Sequence, residues 1–286
     1  MIKRSIITLA AVSAVIGSTA FAGPAPMKAP KNVVAPAAES CITGDVGLDI
    51  TSDYYFHGIL QQGNGSILQP YGNLYFKVSE GGFFDSVSVD VGIWNSFHGR
   101  RGVAGQNSNW FEFDFTAGLT LNKGNWSISP KYIRYSSPGN YFTNSSAAAL
   151  RIGYNDSDAL GAWSLQPYLW VEYEADGKSG NGAAGSDGGL YYEVGISPSR
   201  TFGDLTVSVP VKLGLGSNDY YATDEAYGFS SIGVTASYAL KSIPECLGDW
   251  SVYGNATFLH LGDDTSPTNG GDDTDITFTG GLKIAF

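Results

Sequence analysis

From residue 41 onward one pattern recurs: apolar side chains alternate with polar ones or glycine over stretches of about ten residues, separated by polar, Gly-rich segments. The clearest stretch sets Phe111, Phe113, Phe115, Ala117, Leu119 and Leu121 against Glu112, Asp114, Thr116, Gly118, Thr120 and Asn122. Successive side chains of a strand point to opposite faces, so this segment has one oily and one hydrophilic side. The last stretch repeats it: Ile276, Phe278, Leu282, Ile284 and Phe286 oppose Thr277, Thr279, Gly281, Lys283 and Ala285. Val46, Leu48 and Ile50 mark a first strand over Asp45–Phe56, and Leu74, Phe76 and Val78 a second over Leu68–Ser79. Val87, Val89, Val91 and Ile93 mark a third over Ser86–Phe97. The same reading predicts strands over Trp126–Tyr135, Ala147–Tyr154, Trp163–Glu174, Leu190–Pro198, Leu205–Leu215, Phe229–Leu240 and Trp250–His260. About twelve strands of roughly ten residues result, the length needed to cross a bilayer at a tilt.

The connections sort by parity. Short ones are expected after the even strands and long, polar ones after the odd strands. An even count with short turns at one end and long loops at the other predicts an all-β fold. It would be a single 12-stranded antiparallel up-and-down transmembrane β-barrel over residues 41–286. Eight strands already enclose a side-chain-filled interior, so twelve leave too much space to fill. The Phe/Val/Leu face is therefore expected toward lipid and the charged face toward a lumen. Turning Glu112 and Asp114 outward would cost several kcal/mol. Trp94, Tyr132, Trp163 and Trp250 fall near predicted strand ends, where aromatic belts form.

Composition narrows the function classes. Charged residues are 15% and aromatics 13%, with a mean hydropathy of −0.06, as expected of interleaved apolar and polar positions. A net charge of −11 argues against nucleic acid as a partner. Three His, two Cys and two Met leave little for a metal or redox centre, and no metal, cofactor or catalytic set is expected. Ser96 and His98 share a face two residues apart without further triad spacing, and Asp263–Asp275 is acidic without the EF-hand pattern. Residues 1–22 read as a signal peptide: Lys3 and Arg4, an apolar run over Ile6–Ile16, and Ala20-Phe21-Ala22 as the cleavage site. Residues 23–40, rich in Ala and Pro, read as a flexible periplasmic lead.

The inward-facing charges expected to line the pore are Asp49, Asp53, Asp90, Glu112, Asp114, Glu172, Glu174 and Glu193, against Lys77, Lys131, Arg151, Lys212 and Lys283. The acidic excess predicts weak cation preference. Cys41 and Cys246, both on the short-turn side of an oxidising compartment, are expected to form a disulfide.

The segment Ser52-Asp53-Tyr54-Tyr55-Phe56-His57-Gly58-Ile59-Leu60-Gln61 resembles the Ser-Asp-Tyr-x-Phe-Arg-Gly-x-Ser-Gln opening of the TorF-type porins, with His57 for Arg and Leu60 for Ser. Glu112–Gly118, Tyr135–Gly139 and Tyr192–Gly195 are similar to later motifs of that family. The aromatic end at Phe286 resembles the signal by which outer-membrane barrels engage the barrel-assembly machinery. These resemblances imply a Gram-negative-type outer membrane, lipid as surroundings and small solutes as cargo. The expected function is passive diffusion of small solutes or ions through a porin-like channel, not catalysis. A non-conducting barrel serving as adhesin, partner-binding or structural envelope protein is the other class the pattern allows.

Overall fold

The computed structural model describes residues 40–63, 65–99, 108–176, 189–217, 220–221 and 225–286. The expected signal peptide and all but the end of the lead lie outside the described residues. Among the described residues there are sixteen strand segments. β1 (Ile42–Thr51), β2 (Tyr54–Phe56), β3 (Ile59–Gln62), β4 (Ile67–Glu80), β5 (Ser86–His98), β6 (Trp110–Lys123), β7 (Trp126–Ser136) and β8 (Ser145–Tyr154) come first. They are followed by β9 (Tyr168–Asp176), β10 (Leu190–Ile196), β11 (Ser199–Phe202), β12 (Leu205–Ser208), β13 (Val211–Gly216), β14 (Tyr227–Ala239), β15 (Asp249–Leu261) and β16 (Thr274–Ala285).

All but β2 and β3 form one antiparallel sheet, and the β14–β15 and β1–β16 pairings close it into a ring. Two staves are interrupted beside proline. β10 and β11 flank Ser197-Pro198, and β12 and β13 flank Val209-Pro210, where proline has no N–H for the ladder. Counting each interrupted pair as one stave gives twelve, the predicted number. Closure leaves no open edge, which a lipid-embedded sheet requires.

The alternation resolves into two faces. Ile50, Ile93, Val194, Val234 and Phe278 are exposed on the outside, while Asp45, Gln69, Asp90, Ser129 and Glu172 are buried inside. At the short-turn end Phe83, Trp126, Trp163, Phe202, Tyr238 and Phe286 are exposed and make an aromatic belt. Trp94 departs from expectation: it points inward and packs 5.3 Å from the Tyr54 ring. Phe111 does too. Ser96 pairs with Glu112 and Phe97 with Trp110, so Phe111 is an extra residue in the ladder. Such a bulge re-aims a side chain, and Phe111 lies buried against His98, not facing lipid.

Two further corrections concern the short-turn end. The seventh stave starts at Tyr168, not Trp163, because 155–167 folds into a helical turn (Ser157–Leu160) and a 3-10 turn (Gly161–Trp163). The Asp156 carboxylate holds this connection, accepting from Ser164 Oγ at 2.5 Å and from the Leu165 and Gln166 amides at 3.0 Å. Burial alone would raise the pKa of Asp156; these donors outweigh it and hold the carboxyl below its ordinary value. The expected Cys41–Cys246 disulfide is absent: both thiols are free and exposed. The Cys41 carbonyl accepts from the Lys77 amide at 2.8 Å, which keeps it beside β4, while Cys246 lies in the turn before β15. β1 and β15 pair with opposite edges of β16, so they stand two strand spacings apart. That is about 9.5 Å, against a disulfide Cα reach of roughly 7 Å.

Candidate functional site

The remaining two segments decide what the lumen is. β2 and β3 pair only with each other, as a hairpin within the connection that follows β1. His57 and Gly58 form its two-residue turn with φ of 51° and 87°, the left-handed pair that a tight hairpin of matching twist needs. The hairpin folds inward, into the long-loop half of the barrel. Ile59 joins Tyr191, Tyr220, Tyr221, Phe229, Leu259 and Leu261 in one buried cluster, with Tyr55 against it. Phe56 packs on a second, made of Ile133, Tyr135, Ala147 and Ala149. Full burial of a side chain such as Ile59 contributes about 1.5–3 kcal/mol. The outer half of the lumen is thus an apolar plug, where the sequence pattern predicted polar lining throughout.

Polar contacts hold the plug. Tyr54 Oη donates to Glu112 at 2.8 Å and Tyr55 Oη to Asp275 at 2.6 Å. The Leu60 amide donates to Thr268 Oγ1 at 3.0 Å, and Tyr221 Oη to the His57 carbonyl at 2.9 Å. The His57 ring stacks on Tyr191 at 3.7 Å and on Phe56 at 3.9 Å, with Nδ1 2.5 Å from Tyr220 Oη.

His57 belongs to the inserted hairpin, not to a spanning stave. Burial pushes its pKa down from 6.5 to about 3; nearby Glu193 opposes that shift and Lys212 adds to it. The folded value lies below the unfolded one, so the docked hairpin is fully favoured above pH 6.5 and loses stability as pH falls toward 3. Each pH unit in that window costs up to about 1.4 kcal/mol. Acidification from pH 7 to 4 is expected to raise channel opening, and His57→Phe to flatten the response. Single-channel recordings at both pH values check this; equal pH dependence in the two proteins would count against it.

Beneath the plug the wall is charged. Lys131 pairs with Asp90 at 2.7 Å, Lys283 with Asp45 at 3.0 Å and Lys212 with Glu193 at 3.3 Å. Lys77 stands at the short-turn rim with Glu80. Asp49 accepts from Tyr253 Oη, and Asp53 lies at the hairpin's root beside a cavity of about 440 Å³. Glu112 lies under Tyr54, and Asp114 is the next inward position along β6. Glu172 accepts from Tyr135 Oη at 2.7 Å and the Trp170 indole at 3.1 Å; Glu174 is buried one inward position higher. Arg151 lies over the Tyr168 ring, beside a second cavity of about 420 Å³. These charged side chains therefore lie partly against the hairpin and partly along the staves below it.

Ser96 Oγ and His98 Nε2 do meet, at 3.0 Å. Ser96 is 0% and His98 2% exposed, and Gln69 Nε2 donates to the hydroxyl at 3.4 Å, so substrate cannot reach the serine. Among the described residues no group of three or more His, Cys, Asp or Glu could hold a metal ion. His260 Nδ1 lies 2.7 Å from Tyr227 Oη.

A closed wall, oily outside, belted with aromatics and charged within, defines a transmembrane β-barrel of the outer-membrane class. No family model matches the chain. No curated protein matches it. Similar solved structures include the NanC porin, at 12% identity and TM-score 0.46, covering 84% of this chain and 98% of that one. An outer membrane channel from Pseudomonas putida F1 is similar at 15% identity and TM-score 0.49, covering 86% and 95%. Outer membrane phospholipase A from Escherichia coli is similar at 12% identity and TM-score 0.43, covering 85% and 92%.

Proposed function

We propose that this chain is a porin-like channel for passive diffusion of small solutes or ions, of the TorF type, with its long-loop mouth occupied by the β2–β3 hairpin. The observation that carries the reading is the charged inner wall. It continues beneath the hairpin as two cavities, one on each side of the Glu193–Lys212 pair. A barrel that served only as scaffold would have no need of space lined by ionised groups. The family-like segment Ser52–Gln61 coincides with the hairpin, so the resemblance falls on the element that controls the mouth.

Of the inward-facing charges, Asp49, Asp53, Asp90, Glu112, Asp114, Glu172, Glu174 and Glu193 outnumber Lys77, Lys131, Arg151, Lys212 and Lys283. The surplus supports weak cation selectivity. A permeability ratio of K⁺ over Cl⁻ of about 2–5 is expected, since fixed charge biases a pore without closing it to the other sign. Reversal potentials across a KCl gradient in planar bilayers measure it. A ratio at or below unity would refute cation preference. Absence of conductance in every salt, with the hairpin removed as well, would make the protein a non-conducting barrel.

A further inference from the structure

The cavity of about 420 Å³ lies under the hairpin tip, against the staves from β7 to β13. Tyr168 forms part of its floor. Glycines pair with Tyr168 on both sides, Gly153 on β8 and Gly195 on β10. A Cβ at Gly195 would stand 2.6 Å from the ring, so the ring lies across space that only glycine leaves open. The Arg151 guanidinium is laid over that ring, 4.4 Å from its centroid. Lys212 reaches the same cavity from β13.

The hydrogen-bonding capacity left in this cavity is mostly donating. Glu193 Oε1 accepts from Tyr168 Oη at 2.5 Å and pairs with Lys212 at 3.3 Å, and Oε2 accepts from Tyr191 Oη at 2.9 Å. Glu172 is held by Tyr135 and Trp170. Both carboxylates are thus engaged by protein donors. Arg151, by contrast, has no hydrogen bond or ion pair to any described residue, and Lys212 has the single contact with Glu193 while its side chain is 43% exposed. A guanidinium offers five N–H donors in a planar fork and an ammonium three, against about two lone-pair sites left on Glu172 and one on Glu193, so the larger free capacity is cationic and donating.

We propose that this cavity is a binding subsite for a small oxyanion, a carboxylate or phosphate group. Arg151 takes it with two parallel N–H bonds, and Lys212 adds a second positive charge. Stacking on Tyr168 fixes the guanidinium plane before the ligand arrives, which reduces the ordering needed to form a bidentate pair. The surplus acids that bias the lumen toward cations act on mobile ions along its length, whereas the two carboxylates at this cavity are already engaged. The inference deepens the channel reading by naming a solute class. Binding is nonetheless measurable whether or not the barrel conducts, so the two can fail separately.

The test is isothermal titration calorimetry on the full protein in detergent at low salt, with sodium succinate and inorganic phosphate as probes and dimethyl succinate as the uncharged control. Saturable binding of at least one anion, and none of the diester, is expected. Arg151→Gln should weaken it about tenfold or more, and Arg151→Lys, which keeps the charge and loses the fork, by less. Lys212→Gln should weaken it several-fold, and Lys241→Gln on the exposed 240–248 turn should leave it unchanged. Binding of succinate alone or phosphate alone identifies which group the site takes. No saturable binding of either probe overturns the proposal, as does full affinity in Arg151→Gln. Should that variant not assemble, unchanged affinity in both Arg151→Lys and Lys212→Gln overturns it equally.

Discussion

Replacing the hairpin residues Tyr54–Gln62 with a short Gly/Ser link is expected to raise single-channel conductance about tenfold or more, because a twelve-stave lumen without an insert is wider than side chains can fill. Among the described residues the hairpin is the main body across the long-loop half. Its Ile59 and Phe56 bridge two apolar patches of the wall, and its tip ring is clasped between Tyr191 and Phe56. The wall does not depend on it, since the hairpin shares no backbone ladder with the ring of staves. The variant should therefore still fold, which heat-modifiable migration on a gel checks before any recording. Exposure of Phe229, Leu259 and Leu261 to water will lower stability by a few kcal/mol without opening the ring. If the folded variant conducts no better than the parent, something other than the hairpin closes the pore. The channel proposal would then lose its central support.

The second large effect concerns the outer face. Val234→Arg is expected to destabilise the barrel by about 2–4 kcal/mol, the cost of a cation facing lipid near the bilayer midplane. Val234 is 52% exposed near the middle of β14 and pairs with Ala256 on β15. Its neighbour Thr235 points the other way and accepts from Asn255 Nδ2 at 2.8 Å inside the lumen. Thr235→Arg loses that bond and places a charge in a polar interior, a cost of about 1 kcal/mol. The comparison isolates facing, because the two positions are adjacent in the chain and differ in which solvent they meet. Urea unfolding of each variant from lipid vesicles measures it. Equal destabilisation at the two positions would mean that the outer face does not meet hydrocarbon.

Period-two alternation is a local property, and it carried the wall. Phe113, Phe115, Leu119 and their counterparts on eleven other staves needed only a bilayer outside and a lumen inside to select a closed, even-numbered barrel. The lumen's contents were not legible in the same way. Ile133, Ala147, Ala149, Phe229, Leu259 and Leu261 occupy inward positions near the long-loop ends, and their oiliness was a signal that something apolar must cover them there. What covers them comes from a connection tens to hundreds of residues away, and no periodicity reports that. The bulge at Phe111 likewise shifts one side chain against the parity of its strand.

The same division holds for the charges. Alternation within a stave sets the facing of charges such as Asp90 and Glu172, whereas Asp45, buried against Lys283, is absent from the inward set expected from the sequence, and Asp53 lies beyond the end of β1. Only the tertiary structure decided their partners: Lys131 with Asp90, Lys212 with Glu193, and Arg151 with the Tyr168 ring. It also decided that Cys41 and Cys246 stay apart on either side of β16. The physical reason is that facing is set by each strand's own pleat. Pairing across a lumen depends on the register of every stave between, and on a hairpin that returns through the mouth to fill it.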